Sequence, residues 1–255
     1  VRFGGYRGLR GCRRPVWRSF FDGLFFLSSA LLAIFLGAAL ANVIRGVPLG
    51  ADSYFFLPLW TNWRVGPHPG ILDWYTVIGG LVAFIALATH GALYLATKAS
   101  DDLEQRAASF ARNAWIALCA ITVVSLPATV LVRRATLDNY TRYPALFAIP
   151  LVVVLSLAGI RIFSARGQHL KAFFSSCVYL TIMLVGACAG LYPTVLPSSA
   201  DARADITVAN SLSGAYATHV GLIWWSIGML IAAVYFTVSY GMFRGKVTEA
   251  DLHGH

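Results

Sequence analysis

Residues 172–213 read AFFSSCVYLTIMLVGACAGLYPTVLPSSADARADITVANSLS. The first part, 172–194, is uncharged and apolar enough to cross a hydrocarbon layer, which takes about 20 residues of helix at 1.5 Å each. Pro193 and Pro197 cannot continue that helix, and the Ser, Asp and Thr residues behind them form turns. A membrane span therefore ends here, and a polar loop, Gly190 to Ser213, leads to the next span, 215–243. Working outward, the same pattern of apolar run and polar break recurs at 19–44, 71–97, 114–132 and 144–163. Of the 255 residues, 58% are hydrophobic and 12% charged, where a soluble domain averages about 25% charged. The expectation is an all-α, polytopic transmembrane bundle of six spans. It forms one integral membrane domain over 19–255, preceded by a basic cytoplasmic arm at 1–18.

A net charge of +9 in a soluble domain would suggest a nucleic-acid partner. Here the Lys and Arg residues lie between spans, where they report orientation, and no nucleic acid is expected. With the N-terminus inside, that side collects Arg2, Arg7, Arg10, Arg13, Arg14, Arg18, Lys98, Arg106, Arg112, Arg161, Arg166, Lys171, Arg244 and Lys246, 14 in all. The other side has 6: Arg45, Arg64, Arg133, Arg134, Arg142 and Arg203. Both termini are thus predicted cytoplasmic, with Gly190 to Ser213 facing outward. The first outer loop, Arg45 to Gly70, carries Pro48, Pro58, Pro67 and Pro69 with Trp60 and Trp63, whose indoles suit headgroup depth. Ser100 ahead of Asp101, Asp102 and Glu104 reads as the N-cap of a cytoplasmic helix that continues into the third span.

Ionisable groups inside spans are the candidates for chemistry, because burying a charge in hydrocarbon is costly. Asp22 and Asp73 fall in the first turns of spans one and two, where an acid favours a helix N-terminus and still reaches water. Arg161 is close enough to a span end to snorkel. His90 and His219 are the histidines within spans; His90 lies about 10 Å from the inner end of its helix and His219 about 6 Å from the outer end of its own. About 20 Å apart in depth, they cannot be the two axial ligands of one haem. His68, His169, His253 and His255 lie in loops or the tail. Cys12, Cys119, Cys177 and Cys188 are scattered singly, which argues against a disulfide framework or a zinc site. Gly79 with Gly80, and the GACAG run Gly186 to Gly190, have small-residue spacing for close helix packing. Trp224, Trp225, Tyr235 and Tyr240 read as lipid-facing or packing aromatics. No catalytic, cofactor-binding or metal-ligating residue is assigned from residue chemistry.

Four stretches in order say more than their spacing: WRSFFDGLFF followed by ANVIRGVPLGADSYF, then HGALYLATKASDDLEQRA running to ARNAW, then YPTVLPSSADARADITVANSLS, and the closing YGMFRGKVTEADL. Together they resemble subunit II of the cytochrome bd-type quinol oxidases, the cyanide-insensitive branch included, collinearly from about Pro15 to Leu252. The resemblance implies a bacterial inner-membrane enzyme of aerobic respiration that oxidises quinol and reduces dioxygen to water. It implies a heterodimer with a subunit I that carries the b-type and d-type haems and the quinol-oxidising loop, with this chain as a haem-free partner drawing on the quinol pool and leaving room for a structural quinone. Members of that family begin with further spans, including an acidic Trp-Asp-Gly segment, that do not precede Val1; truncation, a frameshift or a degenerate gene would explain the difference.

Two other classes compete. A transporter fragment would fit six spans with internal prolines such as Pro127 and Pro150, but it calls for broken helices around a polar midplane site. A self-sufficient cytochrome b is disfavoured by the depths of His90 and His219.

Overall fold

The structure is a computed structural model that describes residues 15–50, 54, 56–212 and 214–242. The residues of the arm before Pro15, with Cys12, and the tail beyond Met242, with Arg244, Lys246, His253 and His255, lie outside the described residues. Seven α-helices follow one another: α1 (Pro15–Arg45), α2 (Trp74–Lys98), α3 (Asp101–Val132), α4 (Ala135–Arg142), α5 (Ala148–Ala165), α6 (His169–Leu191) and α7 (Ala215–Met242). All but α4 are long and apolar enough to cross a membrane, α5 together with the 3-10 turn Pro144–Phe147 that precedes it. The described chain is thus a multi-pass bundle of six candidate spans. A two-stranded antiparallel hairpin, β1 (Thr194–Leu196) and β2 (Ile206–Thr207), follows α6.

The helices depart from the expected bounds at identifiable places. Helix α1 begins at Pro15, a residue suited to the first position of a helix because its missing N–H is not needed there. That start puts Asp22 two turns inside the helix and exposed, in the first turn of the candidate span Ser19–Arg45. Helix α3 starts at Asp101 with Ser100 at its N-cap position, so the polar helix expected ahead of the third span and the span itself are one rod of 32 residues. At 1.5 Å per residue this rod is about 48 Å long, more than the roughly 30 Å hydrocarbon core, and its first turns project beyond it. Helix α6 stops at Leu191, before Pro193.

Helices α2, α3, α5 and α6 pack in a closed ring around Ala86, Leu93, Ala111, Leu118, Val153, Leu157, Ile160, Ala172 and Tyr179. Helix α1 joins the bundle through α2 by backbone approach. A Cβ placed on Gly37 would come within 2.5 Å of both the Ala83 Cβ and the Gly79 carbonyl oxygen, and one on Gly79 within 2.5 Å of the Ala41 Cβ. Without hydrophobic force between helices in lipid, such small-residue contacts are what hold spans together. The GACAG run works likewise: a Cβ on Gly190 would meet the Thr136 Cγ2 at 2.7 Å, so α4 lies close over the end of α6. Asn139 fastens that contact by donating to the Ala189 carbonyl at 3.0 Å and to the Tyr192 carbonyl.

The loop after α6 knits the ends of the helices on its side of the bundle together. Val47 N–H donates to the Pro197 carbonyl at 3.0 Å, Ser199 N–H returns to the Val47 carbonyl at 2.9 Å, and the Ser199 hydroxyl donates to the Pro67 carbonyl at 3.0 Å. Pro197 is fully buried in this seam. Helix α7 is different: none of its residues is buried, and Trp224, Trp225, Tyr235 and Tyr240 all stand exposed along it.

Candidate functional site

Polar groups enter the apolar bundle at two levels. The first is where α1 ends and α2 begins. Asp73 caps α2: its Oδ1 accepts from Tyr75 N at 2.8 Å and Thr76 N at 2.9 Å, while the Thr76 hydroxyl accepts from Asp73 N at 2.8 Å. This reciprocal capping box satisfies donors that the first turn of any helix leaves free. The other carboxylate oxygen, Oδ2, is paired with Arg45 Nη1. Arg45 also donates to the Gly70 carbonyl at 3.1 Å and to Asn42 Oδ1 at 2.6 Å, and Asn42 Nδ2 donates to the Ala38 and Ile71 carbonyls at 2.8 and 3.0 Å. The ion-paired side chains are 1% and 0% exposed.

This corrects the expectation that Asp73 reaches water, and that Arg45 is an outer-loop charge reporting only orientation. Because Arg45 is the last residue of α1, its side chain folds back under the loop onto the α2 cap. Both oxygens of the carboxylate have partners, so the group closes the α2 cap and ties it to the end of α1. Sequence reasoning missed the pairing. The available signal was Asn42 and Arg45 three residues apart in the last turn of one span with an acid opening the next, since residues i and i+3 share a helix face.

The second level holds His90. Its Nδ1 lies 2.8 Å from the Ser176 hydroxyl on α6, and its ring stacks on Phe173 at 4.7 Å between centroids. The Ser176 hydroxyl also donates to the Phe173 carbonyl of its own helix at 2.6 Å. Hydroxyl pairs tie both of these helices to α3 further along: Tyr179 of α6 with Thr122 at 2.7 Å and Tyr75 of α2 with Thr129 at 3.0 Å. Each Thr hydroxyl is also close to a carbonyl of its own helix, Thr122 to Leu118 at 2.6 Å and Thr129 to Ser125 at 2.9 Å. These are separate interhelical ties and not one continuous chain of hydroxyls.

The histidines are not brought together. His90 is eight residues from the end of α2, while His219 is exposed, four residues into α7, at the opposite end of the spans. Among the described residues no three His, Cys, Asp or Glu side chains converge. Arg161 is exposed near the end of α5 with its guanidinium over the Trp115 ring. Cys119 and Cys177 are half-buried free thiols and Cys188 is exposed. At the end of the bundle that carries the 190–213 loop, burial pulls the Arg133 guanidinium down from its ordinary value, opposed by the nearby Asp205 carboxylate, and burial pushes the Tyr140 phenol up.

Between α1, α2 and the halves of α3 to α6 nearest the 190–213 loop runs an apolar cleft of about 500 Å³, bordered by Leu36, Ile78, Leu126, Phe147 and Met183, with the hydroxyl-bearing Tyr75, Thr129 and Tyr140 on its walls. The transporter reading finds no broken helix in its two prolines: α3 runs unbroken through Pro127, and Pro150 is the third residue of α5, where no hydrogen bond is lost.

Comparison with known proteins agrees with the collinear stretches. The chain is 27% identical to the cytochrome bd-I ubiquinol oxidase subunit 2 of Escherichia coli over 92% of its own length and 68% of that protein. It is 22% identical to the probable cytochrome oxidase subunit 2 of Haemophilus influenzae, over 91% of this chain and 67% of the relative. It is 23% identical to the cytochrome bd ubiquinol oxidase subunit 2 of Bacillus subtilis, over 92% and 66%. It thus spans about two thirds of the length of these relatives. The family model for cytochrome bd terminal oxidase subunit II matches residues 6–243, and the chain belongs to that family.

Proposed function

We propose that this chain is the haem-free member of a heterodimer in which subunit I carries the b-type and d-type haems and the quinol-oxidising site. The complex oxidises two quinols to two quinones and reduces one dioxygen to two waters. Family membership makes the chain a subunit of an oxidase complex. The observation that supports the finer reading is the separation of the intramembrane histidines: His90 and His219 stand toward opposite ends of the spans, so they are not the two axial ligands of one haem. Helix α7, without a buried residue, supports the presence of a partner, since it offers a complete span for docking. The apolar cleft beside Tyr75 and Tyr140 is the place in this chain for the tail of a structural quinone or a lipid. The charge count supports termini on the cytoplasmic side of a bacterial inner membrane, with 190–213 outside.

The test is to purify the native complex through a tag on this chain and record its reduced-minus-oxidised spectrum. Bands of both haem types, co-purifying with one further large membrane subunit, are expected. A haem-free preparation, or haem ligated by a His90 whose substitution abolishes the bands, would overturn the assignment.

A further inference from the structure

The stretch 58–63, Pro-Leu-Trp-Thr-Asn-Trp, lines neither the apolar cleft nor either of the polar levels. Its height in the bundle is fixed through the backbone. Ile71 N–H donates to the Pro58 carbonyl at 2.9 Å and Leu72 N–H to the Leu59 carbonyl at 3.1 Å. A Cβ on Gly70 would come within 2.9 Å of Thr61 N and 3.1 Å of the Trp60 Cα, so the chain is pressed against Gly70 as well. Residues 70–73 are themselves held, by the Arg45 bond to the Gly70 carbonyl and by the Asp73 cap. The stretch therefore lies alongside the entry to α2. That helix has 25 residues and is about 38 Å long, more than the roughly 30 Å hydrocarbon core, so its entry falls in the headgroup layer. The surface presented at this level is mixed. Leu59 is 62%, Trp60 49% and Trp63 53% exposed, the two indoles meeting edge to face at 4.6 Å. Thr61, Asn62 and Arg64 stand exposed among them.

We propose that 59–63 is an interfacial anchor, with Leu59, Trp60 and Trp63 seated at the boundary between headgroups and acyl chains. The Ser199 hydroxyl bond to the Pro67 carbonyl ties this same loop to 190–213, so the leaflet is the one on the side of that loop. Hydrocarbon would leave Thr61, Asn62 and Arg64 without partners, and water would leave the three apolar side chains uncovered. The headgroup layer takes both kinds, and an indole suits it because its ring is apolar while its N–H finds an acceptor. Because the stretch is bonded to residues that lead directly into α2, the anchor sets the depth of that span and, through Arg45, of the end of α1. This rests on the chain spanning a membrane and is independent of where the haems lie.

The experiment reconstitutes the purified intact complex in phosphatidylethanolamine–phosphatidylglycerol vesicles that carry a photoactivatable phospholipid, and maps the labels by peptide. Two probes are used, one with its diazirine beside the headgroup and one with it at the end of the acyl chain. The headgroup probe is expected to label 58–64 and to leave the exposed turn at Asp201 unlabelled, while the chain-end probe labels the middles of the spans and not 58–64. The Trp60→Gln/Trp63→Gln variant is expected to lose the headgroup-probe label on 58–64. Labelled spans with a bare 58–64 in the unsubstituted complex would place the stretch in water or beneath a partner subunit and overturn the anchor while leaving the spans standing. Labelling of 58–64 chiefly by the chain-end probe, or a label unchanged in the double variant, would equally overturn it. A chain labelled nowhere by either probe would overturn the membrane-spanning reading along with it. Should the double variant fail to assemble, the contrast between the two probes on the unsubstituted complex decides alone.

Discussion

At the scale of single residues, Arg45 and Asp73 are the groups with most at stake, since both are withdrawn from water and each depends on the other. Breaking a buried pair by removing one partner typically costs about 3–5 kcal/mol, because the survivor stays buried and charged. Arg45→Ala and Asp73→Ala are therefore each expected to lower the thermal stability of the purified complex sharply. The double change Arg45→Gln/Asp73→Asn, which keeps hydrogen bonds and removes both charges, is expected to recover most of the loss; a double variant as unstable as the singles would show that charge itself is required. His90 makes a different demand. If it is a tie to Ser176, His90→Phe leaves the haem content per complex unchanged and costs about 0.5–1.5 kcal/mol, the usual worth of one hydrogen bond. A lost haem band in that variant would contradict the tie.

At the scale of elements, the contact of α1 with α2 turns on the absence of side chains. Gly37 and Gly79 face each other so closely that one added Cβ meets atoms at 2.5 Å. Gly79→Ala should push α1 away from α2 and destabilise by about 1–3 kcal/mol, the usual range for overpacking. A disulfide engineered across α1 and α2 outside that contact would then form more slowly than in the parent. Gly91→Ala on the same helix, where a Cβ would meet nothing within 4 Å, is expected to be neutral by the same assay. The small-residue spacing at Gly79–Gly80 and Gly186–Gly190 made both contacts legible in the sequence. Which helix lies opposite was not legible, because a small residue specifies only that something approaches.

For the whole molecule, the alternation of six spans places α1, α3 and α6 ends together with the 190–213 loop on one side. A cysteine introduced at Asp201 should react with an impermeant maleimide in intact cells, and one at Gln168 only after permeabilisation. The reverse pattern would invert the orientation. Helix α7 is expected to crosslink to the partner subunit when a photoreactive amino acid replaces Trp224 or Tyr235, with labelling by lipid alone as the contrary outcome.

The number of spans, their approximate ends and the family were determined by the sequence alone. In hydrocarbon every backbone polar group must be satisfied within its own helix, so a span is a local property that an apolar run and a proline announce without reference to the rest of the chain. Tertiary structure decided the rest: that Arg45 reaches Asp73 across 28 residues of chain, that His90 meets Ser176 across 86, and that the 190–213 loop closes on Val47 and Pro67. The physical reason is that a polar group in a membrane must find a partner, and which partner it finds is set by helix packing and not by neighbours in the chain.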